Sequence, residues 1–597
     1  MERDLDRTSM RRRHFLSAGL ATAGAAALPA HASDASLGAA FSRVRPDTPG
    51  WPTKAEWAQL RRAVGGRLAP VALPDLSSPG ARAGLSNPFY LADQPGLTES
   101  SGWLDGWRSS PSAYAVDART SADVSAAVNF AREKNLRLVV KGRGHSYLGQ
   151  SNAPDSLLVW LRHMDDVVVH DEFRPAGSDA SPVPAVSCGG GAMWLHAYEA
   201  VTGKGGRYVQ GGGCTTVGVA GLVQGGGFGT FSKGFGTAGA SLLEAEIVTA
   251  DGHLRVVNSV REPELFWALK GGGGGSFGVL TRITLATHDL PSEFGAAQMT
   301  ILAHSNEAFR RLIAGLVGHY ATSLFNRHWG GEISATPFNV LRIDMAFQGL
   351  TADAARAAWS SFVDFVTINA ADYHVYAPLR VVALPARDFW NAEALRRFAP
   401  TAVQFDPREG ASATDFWWSG NTEEAGTFWH AYTSAWLPAS LLKPENQSTF
   451  VDAWFSASRH WDVAFHLNKG LAGAPESALA ATRDTPMNPD ATDAFALAIV
   501  AANGPQVFGG LPHDLASARA RATQVQAAMK ALRAAAPNTG AYVNECDYFQ
   551  EDWQRAFWGP NYRRLLAVKR RYDPEGLFTV HHGVGSEGWS ADGFTRT

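Results

Sequence analysis

The sequence predicts an α+β fold made of two parts that differ in local pattern. Between residues 113 and 290, short apolar strands alternate with loops that are rich in glycine. Between residues 291 and 537 the glycine density falls, and longer amphipathic helices alternate with strands. This second pattern favours an antiparallel sheet backed by helices.

The individual elements follow from hydrophobic periodicity and turn residues. In the first part we predict a helix at Ala122–Glu133, strands at Leu136–Val140, Leu157–Trp160, Val167–Val169 and Gly278–Ala286, a helix at Trp194–Val201, and a hairpin of Leu242–Thr249 with Leu254–Val257. In the second part we predict helices at Glu307–Gly318, Ala352–Val366 and Leu515–Ala536, and strands at Leu341–Phe347 and Tyr432–Leu437.

Composition divides the chain further. Residues 33–107 are rich in Pro, Gly and Ser and carry one good helix, near Lys54–Val64, so they are interpreted as an N-terminal arm. The predicted organisation is a signal segment at 1–32, the arm at 33–107, the first part at 108–290, the second at 291–540 and a return to the first part at 541–597.

The N-terminus has the pattern of an export signal. Arg12-Arg13 has the twin-arginine form, the apolar run Ala18–Leu28 follows, and Ala30-His31-Ala32 supplies small residues for cleavage after Ala32. The apolar run is too short to anchor the chain stably in a bilayer. We therefore expect an exported protein without a stable membrane anchor.

Charge and cysteine content exclude some classes of function. The formal charge of −3 over 597 residues argues against nucleic acid as the main partner. Three cysteines cannot form a dense disulfide framework, and an odd number leaves at least one thiol unpaired. Cys188 ends an apolar run and is predicted to be a buried strand cysteine, which leaves Cys214 free for another role.

Two glycine-rich loops are the strongest candidates for a binding site. One loop holds His145 between Gly144 and Ser146, and the other, Gly211–Gly239, holds Cys214 near its start. A backbone without side chains approaches a ligand closely and points its amides at phosphates. Neither loop matches the phosphate-loop pattern, since no Gly-Lys-Ser/Thr follows the glycines.

The two loops read GxGHSxxG at Gly142–Gly149 and GxCxxVGxxGxxxGGGxG at Gly212–Gly229. These motifs resemble those of the berberine-bridge-enzyme-like family, flavin-linked oxidases of the vanillyl-alcohol oxidase superfamily. Residues 539–578 are similar to the closing segment of that family, so the resemblance covers most of the chain after Asp105. It implies a two-part FAD-binding domain of the PCMH type, with an antiparallel-sheet substrate domain over the flavin.

The resemblance implies FAD attached at two residues. His145 matches the histidine that bonds the 8α carbon, where a neutral imidazole is a nucleophile. Cys214 matches the cysteine that forms a thioether at carbon 6. The alternatives are an ordinary loop histidine and a small buried cysteine. The other cofactor-binding residues that the resemblance implies are Gly142, Arg143, Gly144, Ser146, Val217, Gly218, Gly221, Gly225, Gly229, Val248 and Asn544.

Val217 bears on the electron acceptor. In the resembling family a small residue at this position leaves space for O₂, so valine favours an oxidase over a dehydrogenase. The alternative is that Val217 only fills the core.

Candidates for the catalytic base lie near the C-terminus. Alternation along a strand would put Tyr542 and Asn544 on one face, and the resemblance implies that Tyr542 lies near the substrate hydroxyl and Asn544 near the flavin. Glu545 replaces a tyrosine frequent in the family, so it either points away or is the base itself. Tyr147 is a second candidate. A tyrosine, with an ordinary pKa of ~10, needs a neighbour to lower it, and Tyr542 is alternatively a plain strand aromatic.

The pair His581-His582 does not predict a metal site. Adjacent residues of a strand face opposite ways, and no third ligand is obvious nearby.

The resemblance implies an FAD-dependent oxidase that oxidises an alcohol or carbohydrate-like substrate with O₂ and gives H₂O₂, and the N-terminal segment adds the expectation that it is exported. One alternative is an oxidase, cyclase or dehydrogenase acting on a secondary metabolite, and another is a non-catalytic protein that keeps the fold. The substrate is not predicted, because residues 291–540 carry no transferable motif.

Overall fold

The computed structural model describes residues 41–597, and three sheets of four or more strands organise this part of the chain. The predicted signal segment, with its twin arginines and its cleavage point, lies outside the described residues. The helices of residues 41–597 are all too short or too polar to traverse a lipid bilayer.

Two sheets belong to the region that carries the glycine-rich loops. The first contains, in spatial order, Leu68–Pro70, Tyr114–Asp117, Ser156–Trp160 and Arg137–Lys141, with parallel pairing among the last three. The second is antiparallel and contains Leu254–Asn258, Leu242–Val248, Val279–Ala286, Val183–Gly189 and Val167–Phe173. The strands and the hairpin predicted between residues 113 and 290 are confirmed, as is the buried strand position of Cys188.

The third sheet has nine strands in the described part of the chain. Their order is Tyr373–Pro385, Glu293–Ala303, Val340–Gln348, Trp329–Ala335, Val463–His466, Ala494–Gly504, Thr427–Pro438, Ser100–Trp103 and Trp107–Arg108. Neighbours pair antiparallel except Ser100–Trp103, which runs parallel to Thr427–Pro438. Two strands of this sheet therefore come from residues that composition assigns to the arm or its border.

Short two-stranded ladders and helices connect these sheets. The ladders are Arg207–Tyr208 with His288–Asp289 and Val403–Phe405 with Phe416–Trp418. Before residue 291 the α-helices are Lys54–Ala63, Pro79–Gly84, Pro88–Ala92, Ser121–Glu133, Trp194–Tyr198, Val219–Gln224, Ser232–Phe235 and Pro263–Leu269. After it they are Asn306–His319, Ala352–Ala358, Ser360–Ile368, Ala392–Phe398, Pro444–Ser458, Glu476–Arg483, Asp490–Asp493, Leu515–Arg533, Trp553–Trp558 and Tyr562–Tyr572.

The nine-stranded sheet has two chemically different faces. Ile333, Ile343 and Phe465 are buried in one hydrophobic core with side chains of the helices Asn306–His319 and Pro444–Ser458. Because side chains alternate along a strand, the neighbouring positions of the same strands point to the opposite face. That opposite face carries charged and polar residues, and it forms part of the candidate site.

Two predicted helices differ from the structure. The helix predicted at Ala352–Val366 is interrupted at Trp359, which is fully buried against Trp329 and His319. We attribute the interruption of the helix to the packing of this indole. The helix at Trp194–Tyr198 continues as a π-helix, Glu199–Lys204, rather than as the regular turn predicted up to Val201.

Candidate functional site

A cavity of about 820 Å³ brings the two glycine-rich loops to the polar face of the nine-stranded sheet. The loop with His145 follows the strand Arg137–Lys141, and the loop with Cys214 precedes the helix Val219–Gln224. The cavity therefore has a loop wall, built by residues 140–151, 212–230 and 274–280, and a sheet wall, built mainly by residues 331–346 and 429–499.

The loop wall is open where a cofactor would need space. A Cβ atom added at Gly221 or Gly274 would meet no atom within 4 Å. Gly144 has φ of +84°, a conformation that residues with side chains rarely adopt. These glycines leave bare backbone facing the cavity, which suits close approach of a diphosphate.

His145 is held by the Cys214 loop. Its Nε2 atom hydrogen-bonds with Thr216 Oγ1 at 3.2 Å and lies 3.9 Å from a carboxylate oxygen of Glu99. Burial, assisted by the charge of Arg143, lowers the pKa of His145 to about 4. The imidazole is therefore neutral at physiological pH, the form that acts as a nucleophile.

Cys214 is half-buried and lines the same cavity. Its Sγ lies 3.9 Å from Oε2 of Glu424, and the three described cysteines are all free thiols. Burial, followed by the Glu424 carboxylate, raises the pKa of the Cys214 thiol well above its ordinary value. A thiolate here therefore requires a nearby group to take the proton.

The burial and hydrogen bonding of Arg143 show whether the loop wall fits an anionic cofactor. Its side chain is 1% exposed, its Nε donates to the carbonyl of Gly191 at 2.5 Å, and it lines the cavity. Within the described residues Nη1 and Nη2 have no hydrogen-bond partner, although Nη2 lies 3.6 Å from Asp165. A buried guanidinium with free donors suits a diphosphate, so the residues present fit FAD.

The other predicted cofactor-binding residues divide into two groups. Gly142, Ser146, Val217, Gly218, Gly229 and Asn544 line the cavity with those already described. Gly225 and Val248 are not among the lining residues: a Cβ on Gly225 would lie 2.2 Å from Asn544, and Val248 is fully buried in its strand. Gly225 therefore contacts the side chain of Asn544, and Val248 packs behind the wall.

The strand predicted across Tyr542–Asn544 is wrong, because these residues form a tight turn. The amide of Glu545 donates to the carbonyl of Tyr542 at 2.9 Å, which closes the turn. Asn544 Nδ2 still reaches the hydroxyl of Tyr542, at 2.9 Å, and the amide of Gly227 donates to the same hydroxyl at 3.2 Å. Burial raises the pKa of Tyr542.

Glu545 points into the cavity rather than away from it. Lys469 Nζ donates to both of its carboxylate oxygens, each at 2.7 Å. Both side chains are mostly buried, at 13% exposed for Lys469 and 18% for Glu545. This bidentate pair fixes a carboxylate at the junction of the two walls.

The sheet wall places further charged groups side by side. Glu332 lies opposite Asp344 on one neighbouring strand and opposite His466 on the other. Burial raises the pKa of Glu332, and burial together with Lys469 keeps the pKa of His466 well below its ordinary value. His466 is therefore neutral and is able to accept a hydrogen bond from a ligand.

Aromatic side chains close the cavity. The ring of Tyr147 lies 4.8 Å from Trp429 and 5.4 Å from Tyr432, measured between centroids. Burial raises the pKa of Tyr147 and of Tyr432 well above the ordinary tyrosine value. Both phenols therefore remain protonated and act as hydrogen-bond donors or packing surfaces.

The two adjacent histidines do not face opposite ways. The rings of His581 and His582 stack at 3.9 Å, because they lie in a turn and not in a strand. His581 also stacks on Tyr548 at 3.8 Å and hydrogen-bonds to the carbonyl of that residue. Across residues 41–597, no group of three or more His, Cys, Asp or Glu side chains is arranged to hold a metal ion.

Several lining or neighbouring groups were not found from the sequence: Glu99, Glu424, Lys469, Tyr432, His466 and Glu332. They come from the arm and from the region 291–540, where isolated charged residues look like ordinary surface positions. No sequence signal marks them, since their proximity depends on strand register and loop packing.

Comparison with known protein families identifies two regions. A model described as "FAD binding domain" matches residues 112–258, and a model described as "Berberine and berberine like" matches residues 541–585. A FAD-linked oxidoreductase named easE from Arthroderma benhamiae is 32% identical over 493 residues, which cover 80% of this chain and 90% of the relative.

Solved structures share the fold. The VAO-type flavoprotein MtVAO615 of Myceliophthora thermophila has a TM-score of 0.75 at 24% identity, with 93% of this chain and 100% of that chain covered. A glucooligosaccharide oxidase from Acremonium strictum, described with a 6-S-cysteinyl, 8α-N1-histidyl FAD, has a TM-score of 0.64 at 18% identity, with 88% and 99% covered.

Proposed function

The chain belongs to the berberine-like family of FAD-linked oxidoreductases, and from this premise we propose an exported oxidase with FAD attached at His145 and Cys214. We propose that it oxidises an alcohol or carbohydrate-like substrate with dioxygen and gives hydrogen peroxide. One observation carries the proposal: His145, Cys214 and Glu545 all line the same cavity. The His145–Thr216 hydrogen bond joins the two loops, and Lys469 fixes the Glu545 carboxylate.

Support for double attachment comes from the residues themselves. Thr216 and Glu99 are on the Nε2 side of His145, so Nδ1 is the nitrogen left for bonding to the flavin. Cys214 is unpaired and borders the same cavity. The Acremonium oxidase of similar fold carries both kinds of link.

When bound, FAD would supply acceptance of a hydride from the substrate and transfer of two electrons to dioxygen. The chain itself has to hold the substrate and remove its hydroxyl proton. Glu545 is our candidate for the base, because Tyr542 and Tyr147 have raised pKa values and remain protonated. Lys469 fixes the position of the Glu545 carboxylate. A base held at a fixed position near the reacting group is what general-base catalysis needs.

Tyr542, Asn544 and Val217 have supporting roles in this proposal. The Tyr542 hydroxyl accepts hydrogen bonds from Gly227 and Asn544, so its own proton is free to be donated into the cavity. Val217 is half-buried and lines the loop wall, where its small side chain leaves space for dioxygen.

One observation favours a second candidate, an oxidase or cyclase acting on a secondary metabolite. The cavity is lined by several aromatic rings, Trp418, Phe389, Trp429, Tyr432 and Tyr147, which would stack on a planar substrate as well as on a sugar ring. The polar face with Glu332, Asp344 and His466 favours a substrate with several hydroxyl groups.

Two measurements test the function. Flavin absorbance that stays with acid-precipitated wild-type protein demonstrates covalent attachment, and mass spectrometry locates it on the His145 and Cys214 peptides. Oxygen consumption with matched panels of oligosaccharides, simple alcohols and aromatic metabolites then identifies the substrate class. Unmodified peptides at both residues would overturn the proposed attachment, and absence of oxygen uptake with every panel would overturn the oxidase assignment.

Export rests on the twin arginines and the short apolar run of residues 12–32. N-terminal sequencing of the extracytoplasmic protein should begin at Ser33. Replacement of Arg12 and Arg13 by lysine should leave precursor in the cytoplasm, whereas unchanged export would exclude the twin-arginine route.

A further inference from the structure

A carboxyl group faces the thiol that the proposed function attaches to the flavin. Glu424 ends the 3₁₀ helix Ser419–Glu424, and its Oε2 lies 3.9 Å from the Sγ of Cys214, within reach of a sulfur hydrogen bond. Its other oxygen accepts a hydrogen bond from Asn421 Nδ2 at 3.0 Å. Glu424, Asn421 and Cys214 all line the cavity.

The segment that carries Glu424 is bonded to the cysteine loop on both sides of Cys214. Trp418 Nε1 donates to the carbonyl of Gly213 at 3.0 Å. Thr215 Oγ1 donates to the carbonyl of Phe416 at 2.7 Å. These bonds fix the carboxyl group relative to the sulfur, although the two residues are far apart in the sequence.

The charges around the thiol single out Glu424 as its proton acceptor. Lys469, Glu545 and Glu99 also act electrostatically on Cys214. Glu545 is paired with Lys469 and Glu99 faces the imidazole of His145, and within residues 41–597 neither has a hydrogen bond to the sulfur. Among the described residues, Glu424 is the carboxylate within hydrogen-bonding reach of the sulfur.

Burial acts on the acid and the base in the same direction. It raises the pKa of the Cys214 thiol and also the pKa of Glu424. A carboxylate of raised pKa is a stronger base, so proton transfer from the thiol costs less than transfer to an ordinary exposed carboxylate.

We propose that Glu424 is the base that takes the proton of Cys214 when the thioether to the flavin forms, an inference that rests on the proposed function. The S–H bond breaks and its proton moves to the Glu424 carboxylate. The sulfur bonds the ring carbon, the hydrogen of that carbon leaves as a proton, and two electrons pass to dioxygen. In sum, thiol, ring C–H and O₂ give thioether and H₂O₂.

The test compares Glu424→Gln with Glu423→Gln, an exposed neighbour that serves as the matched control. Full-length proteins are produced in air and digested, and the flavin on the Cys214 and His145 peptides is quantified by mass spectrometry over time. Wild type and Glu423→Gln should carry flavin on both peptides. Glu424→Gln should keep flavin on His145 but form the thioether about 10²–10⁴ times more slowly, the usual contribution of a general base.

Two further measurements separate loss of a base from loss of structure. Incubation of purified Glu424→Gln at increasing pH should speed thioether formation, because hydroxide replaces the missing carboxylate, while wild type should change less. Glu424→Asp, whose carboxylate is one methylene farther from the sulfur, should form the thioether more slowly than wild type. If Glu424→Gln fails to fold, the rate of thioether formation in Glu424→Asp provides the test.

The outcomes distinguish the inference from the proposed function. Thioether formation in Glu424→Gln or Glu424→Asp at the wild-type rate overturns the role of Glu424 and leaves the proposed function intact. Wild-type protein with no flavin on Cys214 overturns both.

Discussion

The loop wall and the sheet wall of the cavity present different chemical groups to the cavity. The loop wall offers mostly backbone, from glycine-rich segments that are each continuous in sequence. The sheet wall offers side chains such as Glu332, Asp344 and His466, which come from three separate strands. Recognition by backbone requires glycine at fixed spacing and so leaves a motif, whereas recognition by side chains across a sheet leaves none.

Replacing the two proposed attachment residues gives the largest expected effect and tests whether the loop wall retains the cofactor without covalent bonds. His145→Ala and Cys214→Ala should each keep flavin through the remaining link. The double variant should release all flavin on acid precipitation, since no covalent bond remains. Absorbance of the precipitate and the supernatant measures this. Release from either single variant would show that the two links do not form independently.

Replacing Glu545 tests whether substrate oxidation and flavin binding depend on different residues. Glu545→Gln removes the proposed base but preserves shape, so flavin reduction by substrate should slow by about 10²–10⁴ while flavin content stays unchanged. Stopped-flow absorbance measures the rate, with the exposed residue Glu551 changed to Gln as control. A near-normal rate, combined with a slow Tyr542→Phe variant, would move the role to Tyr542.

Glu99 links the stability of the loop wall to pH. Burial, with the charge of Glu424, raises its pKa from 4.5 to about 8. The folded chain holds this proton more tightly than the unfolded chain, so the stabilisation is complete below pH 4.5 and is lost as pH rises through about 8. In the wild-type protein this loss of unfolding free energy should be a few times ~1.4 kcal/mol, the free energy that one pKa unit represents. The Glu99→Gln variant should not show it.

Denaturant unfolding of both proteins at pH 5 and pH 9 measures the effect of Glu99. The wild-type protein should lose more stability between these values than Glu99→Gln. Equal losses would mean that Glu99 does not hold its proton in the folded state.

Replacing Val217 tests whether this loop-wall residue affects reoxidation by O₂ more than flavin reduction. Val217→Ile adds one methylene at the cavity, and it should slow reoxidation by O₂ about tenfold, equivalent to ~1.4 kcal/mol in the barrier, with a smaller effect on flavin reduction. Stopped-flow measurement of the two half-reactions tests this. Equal slowing of both would make Val217 a packing residue.

Gly221 and Gly225 give the smallest expected effects and compare two glycines of one motif. Gly221→Ala adds a methyl group in open space within a helix, so stability should change by less than about 1 kcal/mol. Gly225→Ala would meet Asn544 at 2.2 Å and should cost about 1–3 kcal/mol. Thermal unfolding compares them, and equal stabilities would show that Asn544 moves aside freely.

The sequence predicted the loop wall well because its information is local. The spacing of glycines around His145 and Cys214 identified both loops, and fourteen of the sixteen predicted site residues line the cavity. The two exceptions, Gly225 and Val248, lie directly behind it. The family and the α+β fold follow from the same contiguous segments, while the domain boundaries, the export signal and the roles of the site residues remain predictions.

Tertiary structure alone decided the sheet wall and the positions of the groups that we propose as proton acceptors. Register across the sheet sets Glu332 beside Asp344 and His466, and docking of the segment that ends at Glu424 sets a carboxyl group on Cys214. The turn at Tyr542–Glu545 replaced a predicted strand and turned Glu545 toward Lys469. Such contacts join residues distant in sequence through packing and burial, and burial is also what shifts their pKa values, so neither appears in a local pattern.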